Sequence, residues 1–328
     1  MKPIGRILRE TQDRTPWHIL DLFAHERYQA NLTQIDANFY SLMGKGIRTW
    51  NEKRSTIPDN FEYINSIPID IDLDCIVSQN PFTHLPFCHE FNQSLNLPII
   101  QIWHTDCVPQ WGVEMIHQQQ QLLDMCHHHV FITRYNQAAW GRGIFGVDNG
   151  TVIEHGIDLN LFKPNDQIER DNVIMSTCND FINRDAEHGF KMWQYLVEDL
   201  PTNLWGDTPG LSVETNSLEQ LVGEFQRSRI FLHTSMRSPL SMSLLEAAAC
   251  GCAIVAAATC GIPDYFEHGN NALLFPPWKP ELGRQYLEEL INDEDMALQL
   301  GRNARQMAEN YSVSKFTKGW TDLLEEIL

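Results

Sequence analysis

The residues from His233 to Phe275 hold the densest set of groups that could do chemistry. An apolar run closes at Ile230–Thr234, and a polar loop, Ser235–Ser241, follows it. Ser243-Leu-Leu-Glu246 has the capping-box spacing, in which serine and glutamate satisfy backbone N–H groups, so a helix is predicted from about Ser243. Three alanines, 247 to 249, favour helix, and Gly251 stands where a C-cap belongs. Cys252–Ala258 is apolar and of buried-strand length, and Gly261-Ile-Pro263 breaks the chain again. Strand, loop, helix, strand makes a right-handed parallel crossover whose loop lies at a strand's carboxyl end. Free N–H groups over Met242, Ser243 and Leu244 would attract an anion there, a diphosphate above all.

A second candidate is His104-Thr-Asp106, at the end of the buried-strand pattern Pro98–Trp103. Cys126-His-His-His129 invites a metal reading, but consecutive strand residues alternate faces, so three adjacent imidazoles cannot converge on one ion. It reads as the approach to a strand over Val130–Thr133, with a helix from Arg134.

These residues need a frame of parallel strands. Trp17–Phe23, Asn38–Met43, Phe61–Ile67, Asp74–Val77 and Pro98–Trp103 supply strand patterns in the first half of the chain. His25-Glu-Arg-Tyr28 follows the first of them without a glycine, which points to side-chain contacts. In the second half, Asn172–Cys178, Thr202–Trp205 and Ile230–Thr234 alternate with helices over about Asp185–Val197 and Ser217–Ser228. That alternation is expected of a doubly wound parallel sheet. Val152 to Pro164 combines a short strand, a glycine turn and a proline stop, as a domain boundary requires. The last fifty residues are helical in pattern, with a closing helix expected from Phe316.

At 328 residues the chain has room for two domains, each with its own core. Its 43% hydrophobic and 20% charged content is that of a soluble globular protein. A membrane span is not expected, because no run of eighteen apolar residues occurs. The start, MKPIGRILRETQDR, has no apolar core of a secretory signal, and eight cysteines without paired metal spacing fit a reducing cytoplasm. The net charge of −19 disfavours general binding to nucleic acid or anionic membrane. It is uneven: residues 1–54 carry nine Lys/Arg against six Asp/Glu, a balance of +3, and everything after them is net acidic. Only that first segment could face an anionic partner, through Arg6, Arg9, Arg14, Arg27, Lys45, Arg48, Lys53 and Arg54.

Leu244-Leu-Glu-Ala-Ala-Ala-Cys-Gly251, Gly261-Ile-Pro-Asp264 and His268-Gly-Asn-Asn-Ala-Leu-Leu274 together resemble the signature of family 4 retaining nucleotide-sugar glycosyltransferases. The stretch Val152-Ile-Glu-His-Gly-Ile-Asp-Leu-Asn-Leu-Phe-Lys-Pro164 is similar to that family's interdomain segment. The resemblance implies the GT-B fold: two Rossmann-like α/β domains facing across a cleft. Residues 1–155 would form the acceptor domain, 156–310 the donor domain, and 311–328 a closing helix packing back toward the first. It implies that Glu246 holds the nucleotide ribose, that Arg184 and Lys191 neutralise the diphosphate, and that His104 lies near the reacting sugar, with Asp106 beside it. The family's first glutamate would fall eight residues before Glu246, where this chain has Ser238. The expected donor set is then Glu246, Arg184, Lys191, Ser238, Ser241, Met242, Ser243 and Leu244, and the acceptor side is His25, Glu26, Arg27 and Tyr28.

On this reading the protein moves a sugar from a nucleoside diphosphate to a hydroxyl, with retention, and needs neither cofactor nor metal. Its expected partners are the nucleotide sugar and an acceptor that includes DNA among the options. His25-Glu-Arg-Tyr28, Phe39-Tyr40, His104 and Ser238-Pro also resemble glycosyltransferases carried by tailed phages, some of which decorate modified DNA bases. Rival readings are a non-catalytic nucleotide-sugar-binding protein, a transferase using a glycan, lipid-linked or small-molecule acceptor, and an epimerase of the same fold. A dehydrogenase is disfavoured, since no Gly-x-Gly-x-x-Gly follows a strand.

Overall fold

The computed structural model describes residues 16–44, 46–67, 71–106, 120–141 and 150–328. The chain divides into two compact units, one of residues 1–154 with 314–328, the other of residues 155–313.

The first unit is built on seven strands: β1 (Trp17–Leu22), β2 (Ala37–Leu42), β3 (Phe61–Ile64), β4 (Cys75–Ser78), β5 (Ile99–Trp103), β6 (His128–Phe131) and β7 (Gly150–Val152). Among the described residues, the helices α1 (Glu26–Leu32), α2 (His84–Leu95) and α3 (Arg134–Gly141) lie between them. Every pairing is parallel, in the order β3-β2-β1-β4-β5-β6-β7. The chain runs outward from β1 to β3 and then crosses to β4 on the other side. The order therefore reverses between β1 and β4, which opens a crevice at their carboxyl ends.

The second unit carries β8 (Asp171–Thr177), α4 (Asp185–His188), α5 (Phe190–Val197), β9 (Thr202–Trp205), α6 (Leu218–Arg227) and β10 (Ser228–His233). It continues with α7 (Met242–Ala249), β11 (Ala253–Ala257), α8 (Ile262–Tyr265), β12 (Leu273–Phe275), α9 (Pro280–Asn292) and α10 (Glu294–Ala308). Its parallel sheet has the order β12-β11-β10-β8-β9, and the reversal falls between β8 and β10. Alternation along the strands splits the core between the two faces. Met175, Phe231 and Ile254 pack with α6 and α7, whereas Ile174, Ile230, Leu232 and Val255 pack with α5 and α9. The last helix, α11 (Val313–Ile327), falls from Ser314 onward within the first unit, where Trp320 is fully buried and donates to the Tyr28 hydroxyl at 3.3 Å.

Three local expectations need correction. The helix expected over Asp185–Val197 is two helices, because Gly189 adopts φ 72° between them. The strand expected from Val130 begins at His128, so His129 lies within the sheet. Its imidazole is tolerated there because Nδ1 accepts from the Trp103 indole at 3.1 Å. The closing helix starts at Val313 rather than Phe316.

Candidate functional site

In the second unit the switch point is ringed by loops tied to one another. After β10, the Thr234 hydroxyl donates to the His188 carbonyl at 2.8 Å and the Met236 N–H to that of Glu187 at 2.7 Å. The next loop joins in, as Thr259 Oγ1 donates to Ser235 O at 2.7 Å and Gly261 N to Pro239 O at 3.1 Å. Gly189 is required in this weave. A Cβ there would lie 2.5 Å from the Thr234 carbonyl oxygen, on top of the left-handed φ.

Within the ring, Ser235 Oγ is 3.4 Å from His188 Nδ1. Burial, with Arg184 adding to it, lowers the His188 pKa to about 4. Burial and the neighbouring His188 lower that of His233, the last residue of β10, to about 3. Both imidazoles are neutral at pH 7 and can donate or accept hydrogen bonds without adding charge. Nε2 of His233 and Oγ1 of Thr177, the last residue of β8, are buried with no hydrogen-bond partner among the described residues. The N-terminus of α7 follows the loop after β10. Together these make a concentration of hydrogen-bonding groups at a strand-order reversal, which is where open α/β sheets bind ligands.

The expected donor residues are spread unevenly around it. Helix α7 begins at Met242 with Ser241 as N-cap, so Ser243 lies in the first turn and no side-chain cap bond forms. The expected capping box is thus absent, and Ser241 and Ser243 instead share a hydroxyl–hydroxyl bond of 2.8 Å. Glu246 is 0% exposed, on the second turn of α7. Leu244 is fully buried core, Met242 is half-buried, and Ser238 is a half-buried residue of the polar loop. Arg184 is the N-cap of α4 and pairs with Glu187 at 2.6 Å, while its charge reaches Cys178 and His188. Lys191 is 85% exposed and sits 3.7 Å from Asp185. The sequence does not mark His188 or His233 as a site residue. Their only signal was position, one at a glycine break and one at the end of an apolar strand.

The first unit has its own cluster after β1. His104 is a half-buried residue just beyond β5, and its ring meets His25 edge-on at 4.8 Å and Tyr28 at 4.7 Å. His104 therefore touches two of the other expected residues. Asp106 is buried and accepts from Asn136 Nδ2 of α3 at 3.0 Å. Glu26 is also buried and is ion-paired with Arg48 and Arg54. Arg27 is half-buried on α1. Arg6, Arg9, Arg14 and Lys45 lie outside the described residues.

Beneath this cluster Asp21 is fully buried and raised to about 8, burial outweighing the hydrogen bonds from Gln79 and Gln29. Gln79 connects it to the crevice, donating to Asp21 Oδ1 at 3.3 Å and accepting from Ala24 N at 3.2 Å. Among the described residues no group of three or more His, Cys, Asp and Glu side chains is arranged to hold a metal ion. Nor is any described helix long and apolar enough to cross a membrane.

Two parallel-sheet α/β units, each with a ligand-type crevice at its switch point, define the GT-B class of architecture. Residues 213–307 match the family model described as "Glycosyl transferases group 1". The chain is 29% identical over 109 residues to a D-inositol 3-phosphate glycosyltransferase of Corynebacterium jeikeium. It is 30% identical over 112 residues to an uncharacterized glycosyltransferase of Methanocaldococcus jannaschii. The aligned stretches cover 33% and 34% of this chain but only 26% and 29% of those relatives. The fold extends further: HepE of Anabaena, solved with UDP and glucose, superposes over 95% of this chain and 100% of that one, with a TM-score of 0.75 at 15% identity. Sucrose-phosphate synthase from Thermosynechococcus elongatus does so over 95% and 99%, with a TM-score of 0.73 at 13% identity.

Proposed function

We propose that this protein is a glycosyltransferase that moves a sugar from a nucleoside diphosphate to a hydroxyl acceptor, with retention at the anomeric carbon. The observation that carries the reading is the crevice between β8 and β10, with His233 Nε2 and Thr177 Oγ1 buried there without hydrogen-bond partners among the described residues. Part of its rim lies in the stretch that matches the group 1 family model. Transfer builds negative charge on the leaving diphosphate. The α7 N-terminus at Met242–Leu244, with Ser241, and the Arg184 and Lys191 cations would stabilise it. Glu246 is assigned to the ribose and Ser238 to the sugar. UDP is the first donor nucleotide to try, because HepE was solved with it.

In the first unit, His104 is assigned to the reacting sugar, with His25 and Tyr28 holding its ring. Asp106, Glu26 and Arg27 stand on the acceptor side. We read the acceptor as an anionic molecule, since residues 1–54 are the net-basic part of the chain. A hydroxymethylated base in phage DNA is one such acceptor, and a phosphorylated polyol is another. The curated relative's name specifies D-inositol 3-phosphate.

A thermal-shift screen across UDP-, GDP-, ADP-, CMP- and dTDP-sugars tests the donor reading. The right donor at 100 times its dissociation constant adds about 2.7 kcal/mol of stability. Incubating that donor with hydroxymethylcytosine DNA and with phosphorylated polyols, then digesting and weighing the products, tests the acceptor. Donor binding without transfer to any acceptor would favour the non-catalytic binding protein.

A further inference from the structure

We infer that Asp21 and Gln79 are positioning residues, whose side chains fix the turn after β1 so that His25 and Tyr28 meet the ring of His104. Only the catalytic use of this arrangement rests on the role given to His104 above, not its geometry. The turn Phe23-Ala24-His25 joins β1 to α1 beside the reversal of strand order, and it contains no glycine. His25 is the N-cap of α1 but makes no side-chain cap bond, so the usual device for fixing a helix start is not used.

Gln79 supplies another. Its backbone N–H donates to Leu22 O at 3.3 Å, which extends the pairing one residue past β4 and brings the side chain to the turn. Oε1 accepts from Ala24 N at 3.2 Å. Nε2 donates to Asp21 Oδ1 at 3.3 Å and to Gln29 Oε1 at 2.5 Å. One side chain thus ties together β1, the turn and α1. Its orientation is determined, because Ala24 N can only donate and must face Oε1, which leaves Nε2 for the two acceptors. Asp21 and Gln29 are 0% exposed and Gln79 is 2% exposed, so bulk solvent does not compete for these bonds.

The state of Asp21 decides how this tie holds. Burial raises it to about 8, so at neutral pH it is an uncharged acid. Val77 of β4 is its sheet neighbour, and the β1–β2 register, continued by one residue, sets Ser41 on its other side. The titratable groups that feel its charge are Tyr28 of α1 and Cys88 of α2, and burial pushes both of them up. His84 of α2, with Nδ1 2.9 Å from Leu22 O, is lowered by burial, and Glu26 of α1 is ion-paired with Arg48 and Arg54. Ionised, Asp21 would demand solvation in a place built without it, and the turn tied to it would loosen. Tyr28 lies three residues beyond His25, one turn along α1, so the start of that helix aims both rings at His104.

Imidazole NMR of the full chain tests this with neither donor nor acceptor present, so its failure is separate from any failure of the glycosyltransferase reading. The Hε1 signals of His25 and His104, assigned by single substitutions, are expected to show an inflection near pH 8 in the wild-type protein and none in Asp21→Asn. Below the inflection, Asp21→Asn keeps an acceptor for Gln79 and is expected to leave both signals in place. An inflection that persists in Asp21→Asn would overturn the proposal, as would its absence from the wild-type protein. Gln79→Leu is expected to speed exchange of the Ala24 amide roughly tenfold, as loss of one hydrogen bond allows, and to shift both imidazole signals. Unchanged exchange across β5 and β6 would certify the fold of that variant. Unmoved imidazole signals in a folded Gln79→Leu would overturn the positioning role. Should that variant fail to fold, the Asp21→Asn titration decides alone.

Discussion

Asp21 shows how a single burial sets a pH dependence. Its folded pKa of about 8 stands above the ordinary 3.8, so between those values the folded protein holds a proton that the unfolded chain has released. Its contribution to stability is therefore full below about pH 4, falls as pH rises, and levels off above about pH 8. Asp21→Asn is expected to remove that slope and to raise stability at pH 8 by about 2–4 kcal/mol. Urea unfolding at pH 5 and pH 8 checks it, and an equal effect at both would contradict the burial argument. Two further residues separate binding from chemistry. Glu246→Gln is expected to weaken nucleotide-sugar binding by roughly 1.5–3 kcal/mol, through loss of a charge-assisted bond to ribose. Titration calorimetry reads this directly, and unchanged affinity would return Glu246 to a structural role. His104→Ala is expected to depress kcat far more than donor affinity, as when a contact strengthens in the transition state. Equal losses in both would make His104 a binding residue.

At the scale of elements, the second unit's crevice depends on where its helices stop. Gly189 ends α4 and starts α5, and its lack of a side chain lets the chain close on Thr234. Gly189→Ala is expected to cost about 1–3 kcal/mol, because it adds a steric contact to a left-handed backbone. The urea midpoint reports the loss, and a midpoint unchanged from wild type would mean that the loops move apart easily. The sequence pattern placed most strands to within a residue or two, including Thr202–Trp205 without error. It failed at Gly189 because amphipathic spacing continues through the break, and only the approach of Thr234 demands one. It failed at Ser243 for a related reason. The capping-box spacing is present, but the helix starts one residue earlier, so the serine and glutamate are both inside it.

For the whole molecule, the charge distribution governs which partners are open to it. With a net charge of −19, binding to plain duplex DNA is expected to be weak and to fall steeply with salt. Fluorescence anisotropy at two ionic strengths checks this. Tight, salt-insensitive binding would mean that the acidic surface is turned away from the nucleic acid. An acceptor carrying one phosphate asks less of that surface than a duplex does.

The strand–helix alternation, the family-like stretch from Leu244 to Leu274 and the basic balance of residues 1–54 were all legible in the chain itself. Hydrophobic period, glycine and proline placement, and charge counts are local properties that survive without a fold. The crevice partners were not legible. His25 and His104 are 79 positions apart in the chain, and His188 and His233 are 45 apart. What makes each pair meet is the order of strands in a parallel sheet, set by which hydrophobic faces pack together. Likewise the sequence offers Glu26, Arg48 and Arg54 only as separate charged residues of the first segment, with nothing to show that they meet. Only the burial of Trp50 against Phe23 and Phe61 folds their loop back and makes one carboxylate serve two arginines.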